Sequence, residues 1–129
     1  MGTNSGTIAD CHSTGWAWGS VRVGGLIGSN TRDGKVIDCH TSGGAVGRAD
    51  VGGLIGTGEG AVTNSFWDTE AAGLRKSAGG TGKTTVEMDI RSTFTDAGWD
   101  FVGENTNGDE DIWTIRKEEY PRLSWELLR

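Results

Sequence analysis

Short strand-like runs separated by glycines dominate the first half of the chain. In residues 6–33 these runs are Thr7–Ile8, Trp16–Val23 and Leu26–Ile27. They are too short and too often interrupted by glycine for amphipathic helices, whose apolar positions recur over about ten residues or more. Such runs are typical of short β-strands between tight turns. The pattern therefore predicts a mostly β fold.

The same pattern recurs along the chain. Residues 6–28 align without a gap on residues 34–56, a displacement of 28 residues, and both segments end in the string VGGLIG. We call residues 6–33 the first copy and residues 34–59 the second copy, and a third copy begins at Gly60 as GAVTNSFWD. A unit of this kind cannot bury its apolar face alone and must stack on its neighbours.

Stacking of the copies predicts a β-solenoid, similar to a parallel β-helix, with coils of about 28 residues. Equivalent residues of adjacent coils would lie about 4.8 Å apart and form columns. The interior columns should be Leu26 over Leu54, and Ile8 over Val36 over Val62. A β-sandwich built from hairpins is the alternative architecture, but letter-for-letter repetition serves stacking more directly than it serves hairpin pairing.

The composition changes at Phe66, where glycine becomes sparser and four of the six tryptophans follow. Such a switch is typical of a segment that covers the open end of a repeat stack. We expect residues 1–65 to form the repeat coils and residues 66–129 to form a mixed, β-rich C-terminal cap with one short helix.

The chain is acidic, with a net charge of -6 and a pI of about 4.8. Nucleic acids and anionic membrane surfaces bind concentrated basic patches, so this charge argues against both as partners. The sequence also lacks an apolar run of about 18 residues, which a membrane-spanning helix needs. We therefore expect neither nucleic-acid binding nor membrane insertion.

The recurring VGGLIG, followed by a polar glycine-containing linker and a GTI-type strand, resembles the GLUG motif of large bacterial secreted and surface proteins. The tail resembles the segment that closes such arrays, in the order FWDTEAAG, TGKTTVEM, STFTDAGWDF, DIWTI and YPRLSWE. The resemblance implies a repeat segment of an adhesin-like cell-envelope protein, located at the cell surface or outside the cell. It supplies no catalytic residues.

The string GGTGKTT at 79–85 is similar to a phosphate-binding loop. That loop requires a glycine where this chain has Ser77, and a buried strand before it. The preceding DTEAAGLRKS has no apolar run that could form such a strand. The context argues against nucleotide binding and favours a flexible loop at Gly79–Gly82, followed by a short helix through Val86, Met88 and Ile90.

Cys11 and Cys39 occupy equivalent positions in the first two copies, and Ser65 follows in the third. Two stacked free thiols are the simplest interpretation, and a disulfide between them is the alternative. Their neighbours His12 and His40 supply further metal-ligand types, but adjacent residues of a strand point to opposite faces and would not share one zinc ion. The histidines are expected to form an outward column, continued by Phe66. Without a nucleophile or an orienting carboxylate they make no catalytic set.

Two further candidates concern ligands. Asn105, Asn107, Asp109 and Asp111 recur at alternate positions, as oxygen ligands do in calcium loops. An exposed Asn-Gly hairpin turn explains the same residues.

Trp16 and Trp18 share one strand face and could form a platform for sugar rings. Alternatively, they could cover the edge of the first coil where an upstream repeat would stack.

These observations predict a non-enzymatic structural or adhesive repeat segment without a cofactor. Its expected partners are upstream repeats of the same protein, with glycans or a host surface as further candidates. A carbohydrate- or host-ligand-binding module is the alternative function, and nucleotide binding at 79–85 is a weaker one.

Overall fold

A computed structural model describes residues 1–104, 106–108, 110–116 and 119–126, together with the backbone of residues 127 and 128. The fold is mostly β, with 39% strand and 13% helix, as the sequence pattern predicts. The chain forms two compact units, Met1–Thr84 and Thr85–Arg129. This division falls later than the change of composition at Phe66, so residues 66–84 belong to the same unit as the copies.

The first unit consists of short strands and one helical turn. In chain order these elements are β1 (Thr3–Asn4), β2 (Thr7–Ala9), β3 (His12–Ser13), β4 (Trp16–Trp18), β5 (Val21–Gly24), β6 (Ile27–Asn30), β7 (Lys35–Ile37), β8 (His40–Thr41), β9 (Gly44–Val46), β10 (Ala49–Gly52), β11 (Ile55–Thr57), β12 (Ala61–Thr63), β13 (Phe66–Asp68), α1 (Thr69–Ala72) and β14 (Thr81–Lys83).

Successive copies pair strand by strand, always in parallel within this unit. The sheets run in the orders β1-β6-β11, β2-β7-β12, β3-β8-β13-β14, β4-β9 and β5-β10. In the second of these sheets Ile8 pairs with Val36, and Val36 pairs with Val62. The predicted column is therefore confirmed, and the second predicted column follows because the Leu26 amide donates to the Leu54 carbonyl at 3.0 Å.

The core of the first unit lies between these sheets. Its buried residues are Ile27, Val36, Cys39, Leu54, Ile55, Trp67 and Ala72. Ile8, Cys11 and Leu26 of the first copy pack against this core but are only half-buried. The second copy is thus more fully buried than the first, because it has a neighbour on both sides.

Residues 76–83, which we call the closing segment, cover the last copies. The Gly53 amide donates to the Lys76 carbonyl at 2.9 Å, and the Ser77 hydroxyl accepts from the Ile55 amide at 2.8 Å. Further along, β14 adds in parallel to β13. The closing segment therefore pairs with the backbone beside β11 and along β13 at this end of the stack.

The string FWDTEAAG forms strand β13 followed by helix α1, and its residues fix both ends of the helix. The Asp68 carboxylate accepts from the Glu70 and Ala71 amides, both at 2.9 Å, and so caps the start of the helix. Gly73 ends it with a left-handed φ of 66°. The indole N–H of the buried Trp67 donates to the Leu74 carbonyl at 2.8 Å, which holds the chain against the core as it leaves the helix.

The second unit has its own aromatic core. Its elements are α2 (Thr85–Met88), α3 (Arg91–Thr95), β15 (Trp113–Thr114), β16 (Arg122–Leu123) and a 3-10 helix (Ser124–Leu128). Trp99 is fully buried against Phe94 and Trp113, with ring centroids 4.8 and 4.5 Å apart. The predicted short helix corresponds to α2, although it ends at Met88 and Ile90 precedes α3 in an extended conformation. The other helical turns were not anticipated. That residues 66–129 together cap the stack stays a prediction.

Candidate functional site

The corner between β2 and β3, with its equivalents in later copies, carries one Asp or Asn side chain in each copy. Asp10, Asp38 and Asn64 stand there with left-handed φ values of 53°, 53° and 48°. Asp and Asn adopt this conformation more readily than other non-glycine residues because their short side chains bond to the local backbone. The recurrence of Asp one residue before each Cys was a signal in the sequence, but its role was missed.

Stacking of the copies places the carboxylates of Asp10 and Asp38 next to each other in this column, where their negative charges repel. Burial, followed by the charge of Asp10, raises the pKa of Asp38 to about 6, while a hydrogen bond with the Asn64 side chain acts in the opposite direction. At neutral pH the column therefore holds a carboxylate that would be more stable in water. The third copy avoids this cost because it carries a neutral amide.

Cys11, Cys39 and Ser65 form the next column and share one local bond. Each donates to the carbonyl two residues earlier, at 3.2 Å from Cys11 to Ala9, 3.2 Å from Cys39 to Ile37 and 3.0 Å from Ser65 to Thr63. The two cysteines are free thiols in this structure. Burial raises the pKa of Cys39 to about 12, so this thiol is a poor nucleophile. The column fills a small interior site.

His12, His40 and Phe66 form the third column, as the sequence predicts. The two imidazole rings stack with centroids 5.3 Å apart and planes inclined by 8°, and Phe66 pairs with His40 in register. The expectation of an outward column is wrong for its later members, because His40 and Phe66 are buried. Among the described residues, no three His, Cys, Asp or Glu side chains converge on a point where they could hold a metal ion.

Trp16 and Trp18 lie on one face of β4 and remain 51% and 76% exposed. The Trp16 ring rests on the second copy, because a Cβ at its partner Gly44 would come within 2.6 Å of a ring carbon. Both indoles line a cavity of about 440 Å³ to which Arg22 also contributes. The pair thus offers aromatic surface with one ring held in place by its neighbour.

Residues 79–83 of the GGTGKTT string belong to the closing segment, and the expectation of a flexible loop at Gly79–Gly82 is wrong. The Thr81–Lys83 portion is strand β14, and the Thr81 amide donates to the Ser65 carbonyl at 2.9 Å. The glycines allow close packing on the core, since a Cβ at Gly79 would lie 2.5 Å from Val62, and one at Gly80 would lie 2.6 Å from Leu54. A phosphate loop instead keeps its amides directed at the ligand.

The acidic loop is organised by side chains that the calcium hypothesis did not include. The Glu104 carboxylate accepts from the Thr106 amide at 2.9 Å and the Asn107 amide at 3.1 Å, and Asp100 accepts from the Glu110 amide at 2.9 Å. The Asn107 amide group donates to the Thr95 carbonyl at 2.7 Å.

Two of the proposed calcium ligands, Asn105 and Asp109, lie outside the described residues, and Asp111 has a left-handed φ of 52°. The alternative of a hairpin turn is wrong, because the bridge between Phe101 and Trp113 is parallel. A hairpin would pair these flanking segments in antiparallel fashion. The calcium hypothesis stays a prediction.

Parallel copies that pair in register define the class as a repeat protein. Residues 19–47 match the profile of the GLUG motif, so the chain carries this motif, as its sequence indicates. GLUG is a repeat motif and not an enzyme family.

A relative from Evansella cellulosilytica, named "Putative Gly-rich membrane protein", is 42% identical over 124 residues. The match covers 94% of this chain and 11% of the relative, so this chain spans about a tenth of the relative's length. No solved structure matches the chain significantly.

The helices of the described residues are all too short or too polar to cross a membrane.

Proposed function

We propose that this chain is a non-enzymatic structural segment of a bacterial cell-surface protein, in which the copies are coils of a β-solenoid. The parallel pairing of equivalent strands from successive copies carries the proposal, because each copy buries the side chains of the next. The membrane protein named among its relatives supports a surface location. The function is mechanical: stacked coils present few unpaired edges and form a stiff segment that carries other parts of the protein, including adhesive ones.

An insertion experiment tests the stacking. Duplicating residues 34–59 between Glu59 and Gly60 adds one full coil and keeps every column in register. We expect one cooperative unfolding transition at a higher urea concentration than for the parent chain, because a stacked repeat adds an interface. Circular dichroism with urea titration measures both the β content and the midpoint.

The matched control duplicates only residues 34–46 at the same place. This half-coil shifts every downstream column out of register, so it should unfold the first unit or lower its midpoint strongly. If the half-coil is tolerated as well as the full coil, the insert behaves as a loop, and stacking of copies is not the organising principle.

A second function is favoured by the exposure of Trp16 and Trp18, which is high for indoles held on a strand. Indole faces bind the C–H faces of sugar rings, so a glycan-binding site on the first copy is the candidate. On a glycan array, any bound sugar should be lost by the double variant Trp16→Ala, Trp18→Ala and kept by Trp125→Ala, a half-exposed tryptophan elsewhere. Binding that survives the double change rejects this site.

A further inference from the structure

Equivalent positions differ in burial between the first two copies. Val36, Cys39 and Leu54 of the second copy are fully buried, whereas their counterparts Ile8, Cys11 and Leu26 are half-buried. The residue types are the same or similar, so the difference comes from position in the stack. The side of the first copy that faces away from the second is open.

The open face is apolar and concave. It includes a cavity of about 420 Å³ lined by Met1, Thr7, Ile8, Cys11, Leu26 and Ile27. Strands β2 and β3 stand at the ends of their sheets, each paired on the side of the second copy. An apolar concavity beside strand edges fits a partner that supplies both apolar side chains and backbone hydrogen bonds.

Strand β1 shows the geometry of such a partner. Thr3 pairs with Ser29 and Asn4 with Asn30, in parallel, just as β11 pairs with β6 on the other side. The buried Asn4 side chain donates to Asn30 at 3.0 Å. Residues 1–4 thus already occupy one strand position of a further coil on the open face.

Gly15 marks a second position of that coil. A Cβ at its counterpart Gly43 would overlap the carbonyl oxygen of Gly15, whereas a Cβ at Gly15 would have nothing within 4 Å. The backbone of Gly15 thus packs directly on Gly43, but nothing packs on Gly15 at the equivalent place on the open face.

We propose that the open face of the first copy is a docking surface for another coil of the same repeat, joined upstream in the same polypeptide and paired in parallel. This inference rests on the proposed stacking function. An upstream coil is favoured over a second molecule for two reasons. Strand β1 enters the face in the direction and register of a coil. The closing segment already pairs with Gly53, Ile55 and β13, so a second molecule would find those positions occupied at the other side of the stack.

The test appends a coil to the chain. A second copy of residues 6–26 is placed directly before Met1. This insertion keeps the register, because Met1 then follows the leucine of the appended copy just as Ile27 follows Leu26. The appended copy carries Cys11→Ser, so the native cysteines remain the two thiols. Its control carries the additional changes Ile8→Asp and Leu26→Asp in the appended copy alone, which prevents apolar docking.

Two readouts report docking. The labelling rate of Cys11 with a thiol reagent should fall about tenfold or more in the extended chain, because stacking buries this thiol as it buries Cys39. In addition, Gly15→Ala should leave the urea midpoint of the parent chain unchanged but lower that of the extended chain, as the new coil brings a carbonyl oxygen against residue 15. The aspartate control should behave like the parent chain in both measurements.

Unchanged Cys11 labelling together with a silent Gly15→Ala in the folded extended chain would overturn the inference. Loss of the native circular dichroism spectrum in the extended chain, but not in the aspartate control, would do the same. If the parent chain instead forms dimers by sedimentation, and its Cys11 is protected as concentration rises, the face belongs to a second copy of the chain. Success of the internal duplication of residues 34–59 with failure here would leave the stacking function intact and reject this docking surface alone.

Discussion

Replacing Gly43 by alanine should lower the free energy of unfolding of the first unit by about 3 kcal/mol, whereas Gly15→Ala should leave it almost unchanged. The two glycines hold the same place in successive copies, and neither has a left-handed φ. The two variants add the same methyl group, and only the atoms around it differ. At Gly43 it would overlap the Gly15 carbonyl and lie 3.0 Å from the Thr14 carbonyl oxygen.

The cost at Gly43 is large because backbone atoms cannot move aside as a flexible side chain can. Relief would require separating β4 from β9 or bending the second copy, and both would disturb the core columns. Urea titration followed by circular dichroism measures the difference between the variants. Equal midpoints for Gly43→Ala and Gly15→Ala would contradict the close stacking of the copies at this position.

Replacing Asp38 by asparagine should stabilise the first unit at neutral pH by about 1 kcal/mol. A rise in pKa from 3.8 to about 6 corresponds to roughly 3 kcal/mol at most, and this upper limit is reduced because the carboxylate is only partly buried and solvent screens its interactions. Asparagine removes the charge and suits the left-handed φ of 53°, as Asn64 does in the third copy.

The same substitution should change the pH dependence of stability. The folded-state pKa is raised, so the folded protein holds the Asp38 proton more tightly than the unfolded chain does. The stabilisation from this proton is fully present below about pH 4 and is lost as pH rises through about 6. Comparing the unfolding free energies of the two proteins at pH 4, 5, 6 and 7.5 should show a gain for Asp38→Asn that grows with pH and then levels off.

Asp50→Asn is the control for backbone conformation. Asp50 also has a left-handed φ of 53°, but its partner in the neighbouring copy is Arg22 rather than another carboxylate. The exchange should therefore bring no gain at neutral pH. A similar gain at both positions would assign the effect to backbone preference, and a flat pH difference for Asp38→Asn would contradict the carboxylate column.

The repeat could be interpreted from sequence because periodicity determines which residues meet. A displacement of 28 residues was enough to place Ile8 on Val36 and His12 on His40, and the observed register agrees. The same rule fails where the period ends. The closing segment joins the sheets through backbone groups, and TGK at 81–83 shares no side-chain pattern with FWD at 66–68, although the two pair residue by residue.

Burial was harder to predict than register. His40 was expected at the surface because strand neighbours alternate between faces, and the buried Cys39 was assigned to the interior. Both are fully buried in the structure, and His40 lies between the stacked His12 ring and its register partner Phe66. The corner column of Asp10, Asp38 and Asn64 was missed for another reason: its defining property is a backbone angle, which residue type suggests but does not fix.

The closing segment ends the stack in the same way whatever the number of copies before it. Copies added before residue 6 would leave every contact of Gly53, Ile55 and β13 with the closing segment as it is. Because the copies share the same VGGLIG string, duplication of the corresponding gene segment would extend the stack of parallel strands by about 4.8 Å per copy. Natural length variants of this protein should therefore differ in the number of copies before the closing segment and agree in the closing segment itself.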